Sequence, residues 1–507
     1  MKFKKIVSTA LMAALVCAGA AGCSEKSETA DAGEKPVIKQ LNPYIKEDYN
    51  TYPVAKVVEE VTGYKVQYDM LPQEKWEDKL NLIMTSGDSS YDCITIKGMG
   101  RARYIDFANQ GALTDLTDLI EKYGQNIIKS VGRDMLETAK VNGKIYGIPS
   151  GGGADPDKPI INEALAVRKD LIDKAGIKMP ETIDEFTEFL REIKKKNIGG
   201  SAAIPLTISS TGYNVPGLVG AFGVPVEIMQ ANGTLIDRIE LPQYKEYLKY
   251  LNKLYNEGLL DKELPVNKTA TVNEKFTSGK AIVMPFGWVD ASTNLSALKA
   301  NQPGAVVEYM VPPKGKNGEQ GFGCVMGSYG WDLISFIPKS CKHPEEVIKY
   351  IDAKLEPDNF RKISIGEEGV HYTVEDGKYY PILPKFFDEK AYSNYYSIGV
   401  DRENYPKYWL ARLRKDEVMY NTFEQLNDTV LKPYLIEVRG TSGMPLSIET
   451  ANNMQVMNQI ISDYAIKFIC GTESFDNYDK FIKEWKKAGG EKYTKELRQW
   501  YKEKQKQ

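Results

Sequence analysis

Two histidines, His343 and His371, are all the imidazole in this 507-residue chain. A Ser-His-Asp or Cys-His nucleophile would have to use one of them, and histidine-rich metal chemistry is excluded. His371 stands close to Glu367 and Glu368, a polar cluster that invites an acid–base reading. Asp155 and Asp157 flank Pro156 and offer hard oxygen ligands. A calcium ion needs six or more such oxygens, and no EF-hand spacing follows, so that stretch leaves calcium open without supporting it. No cofactor is expected. Of the six cysteines, Cys17 and Cys23 lie at the N-terminus. Cys93, Cys324, Cys341 and Cys470 are scattered and form no CxxC, so they read as buried thiols rather than a disulfide framework.

The elements that must position these residues alternate. Val37 to Leu41 reads as a first strand. Val54, Val57, Val58 and Val61 recur at helical spacing, and Gly63 ends that helix. Val66, Tyr68 and Met70 alternate as a strand. Trp76, Leu80, Ile83 and Met84 mark a helix face, on which Trp76 reads as core. Tyr91 to Ile96 reads as a buried strand whose carboxyl end opens into Lys97-Gly98-Met99-Gly100-Arg101. Strands separated by such helices build a sheet covered on both faces, with ligands beyond the strand ends. A second α/β unit follows the Gly-rich stretch Ser150–Gly153. It contains a strand at Leu165–Arg168 and a helix opened by Thr182 and Glu185 at capping-box spacing. Tyr244 to Tyr255 is amphipathic, Ala281–Pro285 is a short strand, and the last hundred residues are helical.

Composition bounds the function. Lys plus Arg is 66 and Asp plus Glu is 69, giving a net charge of −3. No long basic tract exists, which argues against a nucleic-acid partner. Lys2, Lys4 and Lys5 precede an uncharged apolar run from Ile6 to Ala21 that is too short for a comfortable membrane span. It ends in Ala20-Ala21-Gly22-Cys23, which is similar to a bacterial lipoprotein signal. Cys23 would be lipidated and become the mature N-terminus. Loss of the three signal lysines makes the mature chain more acidic. Ser24 to Lys35 is polar and reads as a tether.

Several runs carry a family likeness. They are Asn109-Gln110-Gly111-Ala112-Leu113, Gly143-Lys144-Ile145-Tyr146-Gly147-Ile148-Pro149, and Val167-Arg168-Lys169-Asp170-Leu171. Pro180-Glu181-Thr182-Ile183-Asp184-Glu185-Phe186, Phe276-Thr277-Ser278-Gly279-Lys280-Ala281 and Gly366-Glu367-Glu368-Gly369-Val370-His371-Tyr372 complete them. In order and spacing the chain resembles extracellular solute-binding protein family 1, the maltose-binding-protein-like receptors of bacterial ABC importers. The resemblance implies a two-lobed α/β fold of the type II periplasmic-binding-protein kind, with hinge strands and a helical C-terminal region. The implied organisation is a signal peptide over 1–22 and a tether over 23–36. One lobe takes 37–150 and 331–380, and the other takes 151–330 and 381–507. Crossings are expected near Tyr146–Gly153, near Ser328–Asp332, and after His371-Tyr372.

The resemblance further implies a monomer, lipid-anchored through Cys23 at the extracellular face of the cell membrane. It would capture a carbohydrate between its lobes and deliver it to permease subunits without catalysis. A sugar presents C–H faces and a rim of hydroxyls, so flat aromatics and polar side chains are sought. Trp288, Tyr213, Tyr329, Trp331 and Trp409 are the aromatic candidates, although Trp331 also suits hinge packing and Trp409 suits a core. Lys97, Arg101, Asp290 and Asn294 are the polar candidates, with Lys97 and Arg101 suited to hydroxyls or to an acidic sugar. The family pattern makes the Glu367–His371 cluster structural. A receptor for a peptide or other polar solute is the alternative, and a surface-anchored polysaccharide-cleaving enzyme is a further one.

Overall fold

Short buried runs separated by amphipathic stretches give two main sheets in the computed structural model. It describes residues 35–86, 90–151, 160–224, 228–231, 234–323, 331–436, 444 and 446–504. The strands are β1 (Ile38–Asn42), β2 (Val66–Met70), β3 (Cys93–Lys97), β4 (Gly147–Ser150), β5 (Glu163–Arg168), β6 (Ile204–Leu206), β7 (Ala281–Gly287), β8 (Val307–Tyr309) and β9 (Leu333–Phe336). The first sheet has the order β2-β1-β3-β9-β4, and the second β8-β5-β7-β6. In the first, β1 runs parallel to β2 and β3, while β9 returns antiparallel with Leu333 opposite both Lys97 and Ser150. In the second, β7 is parallel to β6 and antiparallel to β5. The mixture is that of a large α/β protein with returning strands, the central strands of each sheet buried on both faces.

Local signals explain the helices. In α1 (Pro53–Thr62), Val54 and Val58 are buried and Gly63 takes a left-handed φ of 67° as the C-cap, as glycine permits without a Cβ clash. Trp76 opens α2 (Trp76–Thr85) and packs against the core of the first sheet. Gly100 caps α3 (Arg101–Asn109). The expected capping box opens α4 (Ile183–Lys195): Glu185 N–H donates to Thr182 Oγ1 at 3.2 Å, and Thr182 N–H donates to Glu185 Oε2 at 3.3 Å. Ile183, Phe186, Phe189, Leu190 and Ile193 bury the face that the spacing marks. In α5 (Pro242–Asn256), Tyr244, Tyr247, Leu248, Leu251 and Leu254 are buried.

Beyond the second sheet come α6 (Ala291–Asn301), α7 (Pro344–Lys354), α8 (Tyr405–Arg414), α9 (Glu417–Leu426) and α10 (Ile448–Cys470). Their packing moves one expected boundary. Phe386, Tyr396, Ile398, Tyr408 and Ala411 share an apolar cluster with Ile38 and Val54 of the first lobe. Residues after 381 therefore continue in that lobe as far as α8, rather than passing at once to the second. The reason is tyrosine-rich packing, with Tyr52 stacked on Tyr396 and Tyr49 tilted against it. Next, Phe423 of α9 packs against Trp288, and Leu426 shares a cluster with Ala164 of the second sheet. Finally α10 spans both: Ala451 joins the cluster of Leu41 and Ile94, while Met457 and Phe468 join that of Leu165 and Val283.

Candidate functional site: a cleft at the strand ends

The end of β7 builds a pocket of about 310 Å³ in the second lobe. Gly287 pairs with Glu163 at the start of β5. A Cβ on Gly287 would come within 2.8 Å of the Asn162 carbonyl, so glycine lets the two backbones close. The chain then turns through Trp288 into α6, whose N-cap is Asp290. The pocket's polar wall comes from distant segments: Asn162, Glu163, Asn214, Thr269, Asn273, Asp290 and Asn294. Its apolar wall includes Ile161, Phe286, Phe322 and Leu435. Four amides present both donors and acceptors, which is what a ring of hydroxyls requires. Glu163 is reached by solvent yet enclosed by protein on most sides, and this desolvation raises its carboxyl above the usual range.

Trp288 stands beside this lining without being part of it. Its ring meets Trp409 at 5.7 Å and Phe423 at 5.8 Å, and those two lie 5.4 Å apart, all edge-to-face. Trp409 is carried by α8, whose Tyr408 and Ala411 belong to the first lobe's core. Two tryptophans singled out from sequence thus meet where α8 reaches the second lobe. Both stay half-buried, and the enclosed indole N–H of Trp288 meets no acceptor among the described residues. Asp416, between α8 and α9, caps α9 at Met419 N–H and takes a short hydrogen bond from the Ser292 hydroxyl of α6.

A basic string lies where β3 and α8 end. Lys97 ends β3 and its Nζ donates to Tyr395 Oη at 3.2 Å, 5.5 Å from that ring's centre. Arg412 in the last turn of α8 donates to the carbonyls of Lys390 and Ala391 and to Asn394 Oδ1, and so fixes the loop ahead of Tyr395. Lys415 follows three residues later at the helix end. Burial and the Arg412 charge push its ammonium down to about 8. Asn42 Nδ2 donates to the Tyr395 carbonyl at 3.3 Å, Gln40 Nε2 to Asn42 Oδ1, Tyr350 Oη to Gln40 Oε1, and the buried Lys354 Nζ to Tyr350 Oη.

Arg101 and Trp331 serve packing instead. The guanidinium lies 4.6 Å from the Trp331 ring, donates to the carbonyls of Met444 and Thr138, and is lowered to about 10 by burial. The Trp331 indole donates to Thr138 Oγ1 and its ring meets Tyr104 edge-on, which corrects the cleft expectation for Arg101; for Trp331 it is the packing contact that the sequence reading set beside the cleft. Tyr213 also needs correction: it is 3% exposed in the second lobe's core, and its neighbour Asn214 reaches the pocket instead. Asp290 and Asn294 line the pocket, while Tyr329, Cys23 and Asp155–Asp157 lie outside the described residues.

The His371 cluster is structural in geometry. Its Nδ1 accepts from Glu367 N–H at 3.1 Å, so a neutral ring donates through Nε2 to Glu389 at 2.9 Å. Burial pushes the Cys93 thiol up to about 12, and Cys93, Cys341 and Cys470 are free. Among the described residues, no group of three His, Cys, Asp or Glu could hold a metal ion. Among the described residues, no helix is long and apolar enough to cross a membrane.

Known proteins share this plan. The family model described as bacterial extracellular solute-binding protein matches residues 35–359. Lipoprotein LipO of Bacillus subtilis is 25% identical over 511 residues, covering 95% of each chain. The polygalacturonan/rhamnogalacturonan-binding protein YtcQ of the same organism is 22% identical over 505 residues, covering 96% of each. The fructooligosaccharide ABC transporter substrate-binding protein FusA of Streptococcus pneumoniae is 26% identical over 293 residues, 52% of this chain and 54% of FusA. A solved structure of a FusA EF-hand mutant with fructo-nystose matches with a TM-score of 0.71 at 20% identity, covering 93% of this chain and 99% of that one.

Proposed function

The chain belongs to the bacterial extracellular solute-binding protein family, and from that premise we propose that it is the carbohydrate-capturing component of an ABC importer. The observation that carries this reading is the amide-lined pocket at the end of β7, next along the chain from the Trp288–Trp409 contact. Amides and carboxylates satisfy hydroxyls, and half-buried indoles offer faces to C–H surfaces. The ligand bridges the lobes and shifts the population towards the closed form, which the permease then recognises. YtcQ and FusA, named for saccharide ligands, support the class.

Capture without turnover is part of the proposal. His371 is engaged on both ring nitrogens, and among the described residues the pocket lining holds no imidazole. The anchor is proposed from sequence: Cys23 follows a lysine-rich, apolar leader and a small-residue run, and LipO carries the name lipoprotein. A palmitate analogue is expected to label the wild type and not Cys23→Ser, and equal labelling would refute the anchor.

A thermal-shift screen over oligosaccharides and peptides tests the main reading. A ligand at ~100 times its dissociation constant stabilises the fold by roughly 2.7 kcal/mol. Stabilisation by a saccharide series supports the proposal. Stabilisation by peptides alone would overturn it.

A further inference from the structure

The two sides of the junction differ in charge. Among the described residues, the lining of the pocket at the end of β7 contains Glu163 and Asp290 and no lysine or arginine. The other side carries Lys97, Arg412 and Lys415. Lys97 is held by a neutral phenol, Tyr395, with Asp332 nearby but not within salt-bridge distance among the described residues. Arg412 spends its donors on carbonyls, an amide and the Ser393 hydroxyl. Lys415 faces Arg412 and Asp416, and no described carboxylate lies within salt-bridge distance of its ammonium. Asp416 is already engaged by Met419 N–H and Ser292.

A desolvated cation without an anion is costly, and an arriving anion would relieve that cost. No described residue supplies that partner here. Charge matching also orients it: an anionic group placed in the β7 pocket would meet Glu163 and Asp290, whereas the same group at the string meets an excess of cations. Arg412 and Lys415 sit three residues apart at the end of α8, so they share one side of the helix. Arg412 also lies within electrostatic reach of Tyr395, which holds Lys97. The string is therefore continuous from the end of β3 to the end of α8.

We propose that the ligand is an acidic oligosaccharide, with an uncharged end in the amide-lined pocket and an anionic group against Lys415 and Lys97. This rests on the carbohydrate-receptor reading and adds the ligand's charge and its orientation. Lys415 and Lys97 are then specificity-determining residues that select against neutral sugars of the same length.

The test uses calorimetry on the mature chain. The probes are uronic-acid oligosaccharides from pectate and from alginate, a sulfated oligosaccharide, the methyl esters of the uronates, and neutral galactan oligosaccharides of equal length. The expected result is that one acidic series binds at least about tenfold tighter than its ester or the neutral sugar. Lys415→Met keeps the buried stem and is expected to remove about tenfold from acidic binding while leaving neutral binding unchanged. Lys97→Gln, at an exposed position, checks the string without risk to folding and is expected to reduce the acidic preference. Neutral sugars binding as tightly as every acidic one would overturn the inference and leave the receptor reading standing. Acidic preference untouched in both variants would overturn it too. Absence of binding to every saccharide would overturn the inference together with the receptor reading.

Discussion

The β7 pocket and the basic string divide recognition between them by different means. The pocket is assembled from single side chains on segments as far apart as Asn162, Asn214, Asn273 and Asn294, set around the ends of rigid strands. The string comes from two element ends, β3 and α8, and is braced from behind. Lys354, Tyr350, Gln40 and Asn42 form a hydrogen-bonded row through the first lobe that ends on the Tyr395 carbonyl. Neutral amides need only geometry, which strand ends supply. Cations in a partly dry junction need their positions enforced, because a shifted ammonium loses Coulomb energy and regains water.

The strongest way to break this comparison is to remove what joins its halves. Trp288→Ala empties the three-ring contact with Trp409 and Phe423. A stability loss of about 3 kcal/mol is expected in urea unfolding, accompanied by weaker ligand binding in the folded fraction. Unchanged stability would mean that the ring cluster does not brace the lobes.

Next in size is the brace behind the string. Burial holds the Lys354 ammonium down to about 7. The unfolded chain has a normal lysine, so between pH 7 and about 10 it binds the extra proton. Stability is therefore expected to rise with pH across that window and to fall as pH drops towards 7. Lys354→Met removes this slope and stabilises the protein most at pH 6. A wild-type slope retained in Lys354→Met would assign it elsewhere.

Smaller effects separate the two recognition surfaces. Asn294→Ala is expected to cost about 1 kcal/mol of affinity for charged and neutral sugars alike, with little salt dependence. Lys97→Gln is expected to act on acidic sugars alone, and less as salt rises. Smallest is a proton effect. Lys415, faced by Arg412 and Asp416, is held at about 8 by burial and by Arg412. Acidic-ligand affinity is expected to decline as pH rises through 8, and calorimetry at pH 8 in buffers of different ionisation enthalpy is expected to register proton uptake. A pH-flat affinity with no uptake would remove Lys415 from the contact.

What was legible in the sequence follows the same division. The capping box at Thr182 and Glu185, the valine stripe of α1 and the buried run of β3 are local signals, and they became the elements they announce. Lys97 was visible because it ends such a strand, and Trp288 because it follows one. Asn294 was singled out because it closely follows Trp288, whereas Asn162, Asn214 and Asn273 were not, since residues so far apart along the chain share no period. Asn214 was within reach: the polar loop around Tyr213 was noticed, but the ring turned into the core and the amide beside it turned to the pocket. Arg412 and Lys415 were not singled out, because a basic helix end is ordinary in sequence, and only the tertiary fold removes their water.

The central claim is stoichiometric capture of a saccharide without chemistry. The most direct measurement is calorimetric titration of the mature chain with the oligosaccharide that most stabilises it, followed by chromatography of the recovered sugar. One molecule bound per chain, with the sugar returned intact after prolonged incubation, is the predicted result. Shortened products in the recovered sugar, or no binding by any saccharide, would contradict the account.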